Sequence, residues 1–63
     1  MRVSNTELKI LQEIKDGKTS LEMTSDIGLT VGTINNYINI LLQKTGTNNR
    51  AQLIYEAVKK GIL

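Results

Sequence analysis

Apolar residues recur at helical spacing in four blocks of the chain, and each block opens and closes with recognisable punctuation. In the first, Leu8, Ile10, Leu11 and Ile14 form one arc. Ser4 stands ahead of it as a capping residue, with Glu7 placed to complete a capping box, and the block ends near Asp16 with Gly17 as its left-handed stop. Thr19-Ser20-Leu21-Glu22 repeats the capping pattern and starts a short second block, with Met23 and Ile27 inward and Gly28 at its end. Thr30 caps the third, whose inner arc is Val31, Ile34, Ile38, Leu41 and Leu42, with Tyr37 at the border and Gly46 as the stop. Thr47 or Asn48 caps the last, which carries Ala51, Leu53, Ile54, Tyr55, Ala57 and Val58 and closes at Gly61. These signals predict an all-α fold with helices at about 5–16, 20–27, 31–45 and 49–60, joined by short loops into one domain.

The polar side of the third block is unusual. Wound at about 100° per residue, Asn35, Asn36, Asn39 and Gln43 fall opposite the apolar arc. A solvated helix face is ordinarily Glu and Lys. Asn is a poor helix former, because its side chain competes for backbone hydrogen bonds, so a stripe of carboxamides carries a local cost. A carboxamide donates and accepts at once, which matches the edge that adenine presents in the DNA major groove. The plainer alternative is a solvated face with no role. The short second block, a turn containing Gly28 and the long third block together follow the helix-turn-helix pattern.

Two charges lie on apolar arcs. Glu7 projects between Leu11 and Ile14, and Arg50 projects between Ala57 and Ile54. The simplest expectation is a structural ion pair, Glu7 with Arg50, tying the first helix to the last. The arc of the last block spans about 200°, twice what one core needs. With Leu53, Ile54 and Ala57 turned inward, Ala51, Tyr55 and Val58 are left outward, where they would form a dimer interface about a two-fold axis.

Composition narrows the chemistry. A chain of 63 residues has room for one modest core and benefits from a partner. With no Cys and no His, disulfides, the usual zinc sites and His-based nucleophilic pairs are excluded; no enzyme activity, cofactor, metal or small-molecule ligand is expected. The net charge is only +2, but all six acids lie outside the run from Ile27 to Tyr55, which holds Lys44 and Arg50. An acid-free surface centred on the amide stripe suits a polyanion. No apolar run approaches the ~20 residues of a membrane span and no signal pattern opens the chain, so a cytoplasmic location is expected.

Several blocks together resemble the LuxR-type (GerE-like) DNA-binding domain over essentially the whole chain: Ser4-Asn5-Thr6-Glu7 with Ile10-Leu11, Gly17-Lys18-Thr19-Ser20 with Glu22-Met23, Leu29 to Ile34, and Lys44 to Arg50. The resemblance implies a four-helix helix-turn-helix unit whose third helix enters the major groove of double-stranded DNA and whose fourth forms a homodimer. Asn35, Asn36 and Asn39 match base- and backbone-reading positions, with Gln43 at the edge of the groove. Thr33 matches a phosphate-contacting position, and Thr30, Tyr37 and Lys44 would hold phosphates beside it. Glu7 and Arg50 match structural positions. The chain departs from the family pattern at Asn35, Tyr37, Ile40 and Thr45, where Lys, His, Asn and Leu are usual. Family members commonly carry a receiver or ligand-binding domain ahead of this unit; this chain, starting at Met1 with no such domain, reads as a stand-alone regulator, and a C-terminal fragment would read the same. The expected function is a sequence-specific transcriptional regulator. The alternative is a small antagonist that pairs with a larger LuxR-type protein through its last helix and does not bind DNA itself.

Overall fold

The computed structural model describes residues 2–63. Four helices follow one another: α1 (Asn5–Lys15), α2 (Ser20–Ile27), α3 (Val31–Thr45) and α4 (Arg50–Lys59). Each starts where a side chain takes up a backbone N–H that the first turn leaves without a partner. The Ser4 hydroxyl accepts from the Glu7 N–H, and Glu7 Oε1 accepts from the Ser4 N–H at 2.9 Å. Thr19 and Glu22 make the same reciprocal pair for α2. Thr30 accepts from the Thr33 N–H at the start of α3. At α4 the cap is Asn49, rather than Thr47 or Asn48 as the sequence suggests. Thr47 spends its hydroxyl on Thr45, and the Asn48 N–H donates to the Gln52 side chain, which leaves Asn49 to accept from the Gln52 N–H. Gly28 and Gly46 end α2 and α3 with φ of 79° and 66°, a conformation that costs a residue with a Cβ about 1–2 kcal/mol.

The four arcs close on one another as a single cluster. Ile10 and Leu11 from α1, Met23 from α2, Ile34, Ile38 and Leu41 from α3, and Leu53 and Ala57 from α4 are buried. Each large aliphatic side chain removed from water contributes roughly 1.5–3 kcal/mol. Leu29, Tyr37, Leu42, Ile54 and the C-terminal Ile62 and Leu63 pack around this cluster, half-buried. The inner side of α3 is thus fixed by α1, α2 and α4, so its outer side is held in one orientation.

The expected Glu7–Arg50 pair does not form. Glu7 is buried, but its partner is Lys44, whose Nζ lies 3.0 Å from Glu7 Oε2. Arg50 instead donates from Nη2 to the Ser20 hydroxyl at 2.6 Å. The reason lies in the helix ends. Arg50, Ala51 and Ile54 share a groove with Ile14, Lys15 and residues 17–20, so α4 begins beside the end of α1, about two turns from Glu7. The last turn of α3 lies beside the start of α1, and Lys44 reaches Glu7 from there. Helical winding assigned both charges to inner arcs but not to a neighbour. Glu7 also serves both tasks at once, one oxygen capping α1 and the other meeting Lys44.

This double engagement makes a pH prediction. The backbone N–H of Ser4, and then Lys44, hold the Glu7 carboxyl below the usual glutamate range against the opposing effect of burial. A depressed carboxyl stabilises the fold above its unfolded pKa, and that contribution disappears as pH falls through the lower folded value. Glu7→Gln keeps an acceptor for Ser4 but cannot titrate. Its melting temperature should lie below that of the unsubstituted chain at pH 7 and decline less steeply below about pH 4. Parallel melting curves across that window would mean that the Glu7–Lys44 clasp does not stabilise the fold.

A second buried acid joins α1 to α2. Glu13 lies 3.3 Å from Lys18 Nζ, which reaches Asp26 at 2.6 Å. The neighbouring Asp26 carboxyl pushes Glu13 up, while Asp26 itself is held low by Glu13 and Lys18.

Candidate nucleic-acid interface

α2, the turn at Gly28 and α3 place one polar helix face outward while its opposite face fills the core. Asn35, Asn36, Asn39 and Gln43 are all exposed, and they stand on one side of α3. Among the described residues, the side chains of Asn36, Asn39 and Gln43 make no hydrogen bond within the chain, so their donors and acceptors face solvent. Asn35 differs. Its Oδ1 accepts from the Ser20 hydroxyl at 2.6 Å, and Ser20 in turn accepts from Arg50.

Around this stripe, Thr30 and Thr33 are exposed at the start of α3, where the Thr30 hydroxyl donates to Thr33 Oγ1 at 3.0 Å and leaves the Thr33 hydroxyl proton free at the positive end of the helix dipole. Tyr37 is half-buried against the core, so its ring is fixed. Lys44, expected to hold phosphate, is exposed but ion-paired with Glu7. By helical winding it shares the side of α3 that carries Thr33 and Tyr37, and its ammonium is turned to Glu7. A phosphate would have to share that ammonium with a carboxylate, so Lys44 supplies less positive charge to this face than its formal charge implies.

α4 carries Leu53 and Ala57 buried and Ile54 half-buried. Ala51, Tyr55 and Val58 are exposed; the two larger ones retain 65% and 49% of their accessible surface, enough to leave an unpaired apolar strip. The Lys59 ammonium stands 5.8 Å from the Tyr55 ring centroid, within cation–π range.

Two residues beside the amide stripe escaped the sequence reading. Ser20 was legible only as part of a capping pattern, yet it is the link between Arg50 and Asn35. Leu21, next to it on α2, is 71% exposed, the most open large apolar side chain among the described residues. The signal for both was the absence of Leu21 from the α2 inner arc, which turns the first turn of α2 toward solvent. Ile40, on the flank of α3, is also exposed.

A short helix, a glycine turn and a long helix presented by a three-sided core define a helix-turn-helix unit. Residues 1–57 match the family described as bacterial regulatory proteins, luxR family, and the chain belongs to it. It is 30% identical over 59 residues to the transcriptional regulatory protein DesR of Bacillus subtilis, covering 94% of this chain and 30% of DesR. It is 38% identical over 61 residues to the transcriptional activator protein AhyR of Aeromonas hydrophila, covering 97% of this chain and 24% of AhyR. A third relative, the transcriptional activator protein AnoR of Acinetobacter nosocomialis, is 34% identical over 61 residues, 97% of this chain and 26% of AnoR. The chain therefore spans only 24% to 30% of the length of these relatives. No solved structure gives a significant match. The family consists of transcriptional regulators, not enzymes. No helix among the described residues is long and apolar enough to cross a membrane.

Proposed function

We propose that this chain is a sequence-specific double-stranded DNA-binding unit of a transcriptional regulator, acting as a homodimer with α3 in the major groove. The observation that carries the reading is the exposed carboxamide stripe of α3, held rigidly by a core on its other side. Asn36 and Asn39 have free donors and acceptors for base edges, Gln43 stands at the rim, and Thr30, Thr33 and Tyr37 flank them for phosphates. The names of DesR, AhyR and AnoR, all regulators of transcription, support the same role.

A second reading draws on the engagement of Lys44 by Glu7, which lowers the positive charge available to DNA. In it, the chain pairs through α4 with a larger LuxR-type protein and does not bind DNA itself. Selection from random duplexes at low salt separates the two. The first reading expects enrichment of a two-fold symmetric site, with affinity falling steeply as salt rises. Absence of any preference at low salt supports the antagonist.

Both readings use the outer strip of α4. Tyr55→Glu and Val58→Glu, at exposed positions, should leave the fold intact but abolish self-association in sedimentation and cooperative binding to a full palindrome. A helix pair this short buries little surface, so the free dimer should be weak and DNA should strengthen it. Folded variants that still bind a palindrome cooperatively would exclude this strip as the interface.

A further inference from the structure

One side-chain chain crosses three helices at the edge of the amide stripe. Arg50, the first residue of α4, donates to the Ser20 hydroxyl at 2.6 Å, and Ser20, the first residue of α2, donates to Asn35 Oδ1 at 2.6 Å. The guanidinium has only donors. It therefore occupies an acceptor site of the hydroxyl and leaves the hydroxyl proton to point elsewhere. An amide oxygen facing Ser20 takes up that proton; an amide turned the other way would face the hydroxyl with a second donor and leave the proton without a partner. The charge on Arg50 strengthens both links, because a hydrogen bond donated by an ion is stronger than a neutral one and polarises the next.

We propose that Ser20 and Arg50 are positioning residues that fix the Asn35 carboxamide with its oxygen turned to α2 and its NH₂ outward, so that Asn35 reads DNA as a donor. The proposal rests on the DNA-binding reading above and adds a base preference to it. A bidentate contact to adenine needs the amide oxygen to accept from the adenine amino group and the amide nitrogen to donate to N7. With the oxygen committed to Ser20, an outward NH₂ meets two acceptors, O6 and N7, on guanine, but one acceptor and one donor on adenine. Asn35 thus selects guanine, while Asn36 and Asn39, with both groups free, retain the capacity to read adenine.

The test has one arm without DNA and one with it. In the free protein, side-chain amide relaxation by NMR should find the Asn35 NH₂ more ordered than those of Asn36 and Asn39, and Ser20→Ala and Arg50→Gln should bring it to their level. An Asn35 amide as mobile as its neighbours in the unsubstituted chain overturns the relay, whatever DNA does. In selection from random duplexes, the unsubstituted chain should enrich guanine at one position of each half-site. Ser20→Ala should reduce the guanine-over-adenine ratio there about tenfold, with preferences elsewhere and the melting temperature little changed. Enrichment of adenine at the position lost in Asn35→Ala, or a Ser20→Ala profile identical to the unsubstituted one, overturns the proposed readout. An ordered amide in a chain that binds no duplex overturns the readout together with the DNA-binding reading, and leaves the relay as a clamp between helices.

Discussion

Leu53→Ala is expected to remove about 2–5 kcal/mol of stability, through lost transfer energy and the cavity left among side chains from the other helices. Leu53 is fully buried, and it is with Ala57 the means by which α4 joins the core. A domain of this size holds roughly 3–9 kcal/mol in total, at about 0.05–0.15 kcal/mol per residue. The substitution should therefore remove a large share of the stability, lower the urea midpoint accordingly, and weaken DNA binding and self-association together wherever the chain unfolds. Leu21→Ala, at an exposed position, should change stability by less than about 0.5 kcal/mol. Urea unfolding followed by circular dichroism measures both. A loss under about 1 kcal/mol for Leu53→Ala would mean that α4 is not part of the cooperative fold.

Base discrimination is the second large effect. Asn36→Ala and Asn39→Ala should each cost about 1–3 kcal/mol of discrimination at one position of the half-site, with non-specific affinity nearly unchanged, if each side chain makes a bidentate base contact. Lys44→Ala makes the contrast. A lysine free to hold phosphate would lower the slope of log affinity against log salt by about one unit when removed. Because Glu7 already engages this ammonium, the change in slope should be clearly smaller than one, and the variant should lose stability that Glu7→Gln also loses. Competition binding with single-position variants of the selected duplex, repeated at several salt concentrations, reads all three. A full unit lost with Lys44→Ala would mean that Lys44 leaves Glu7 when DNA arrives.

The helices themselves were legible because their signals are local. Ser4 with Glu7, Thr19 with Glu22, and the stops at Gly28 and Gly46 involve residues a turn apart, and helical winding sorted core from surface in α3 without any knowledge of its neighbours. The partners of Glu7 and Arg50 were not legible for the converse reason. Winding places a side chain around an axis but says nothing of which helix end comes to lie beside it. The swap of Arg50 for Lys44 reflects the placement of α4's start against the end of α1, a long-range fact. The same limit hid Ser20, whose hydroxyl is 15 positions from Asn35 and 30 from Arg50. The cap of α4 was missed by one residue because Thr47, Asn48 and Asn49 are all competent caps, and only the competing bonds of Thr45 and Gln52 decide among them.

The chain contains no tryptophan and two tyrosines, and these two stand in different surroundings: Tyr37 half-buried beside the carboxamide stripe, Tyr55 exposed on the outer side of α4. Each proposed contact surface thus carries its own native fluorophore. With Tyr55→Phe, the remaining emission reports on duplex arriving at α3; with Tyr37→Phe, it reports on a second α4 arriving at Tyr55. Titrating the two single-tyrosine proteins with the same duplex would give the order of events, self-association before DNA or on it, without attaching a dye to either surface.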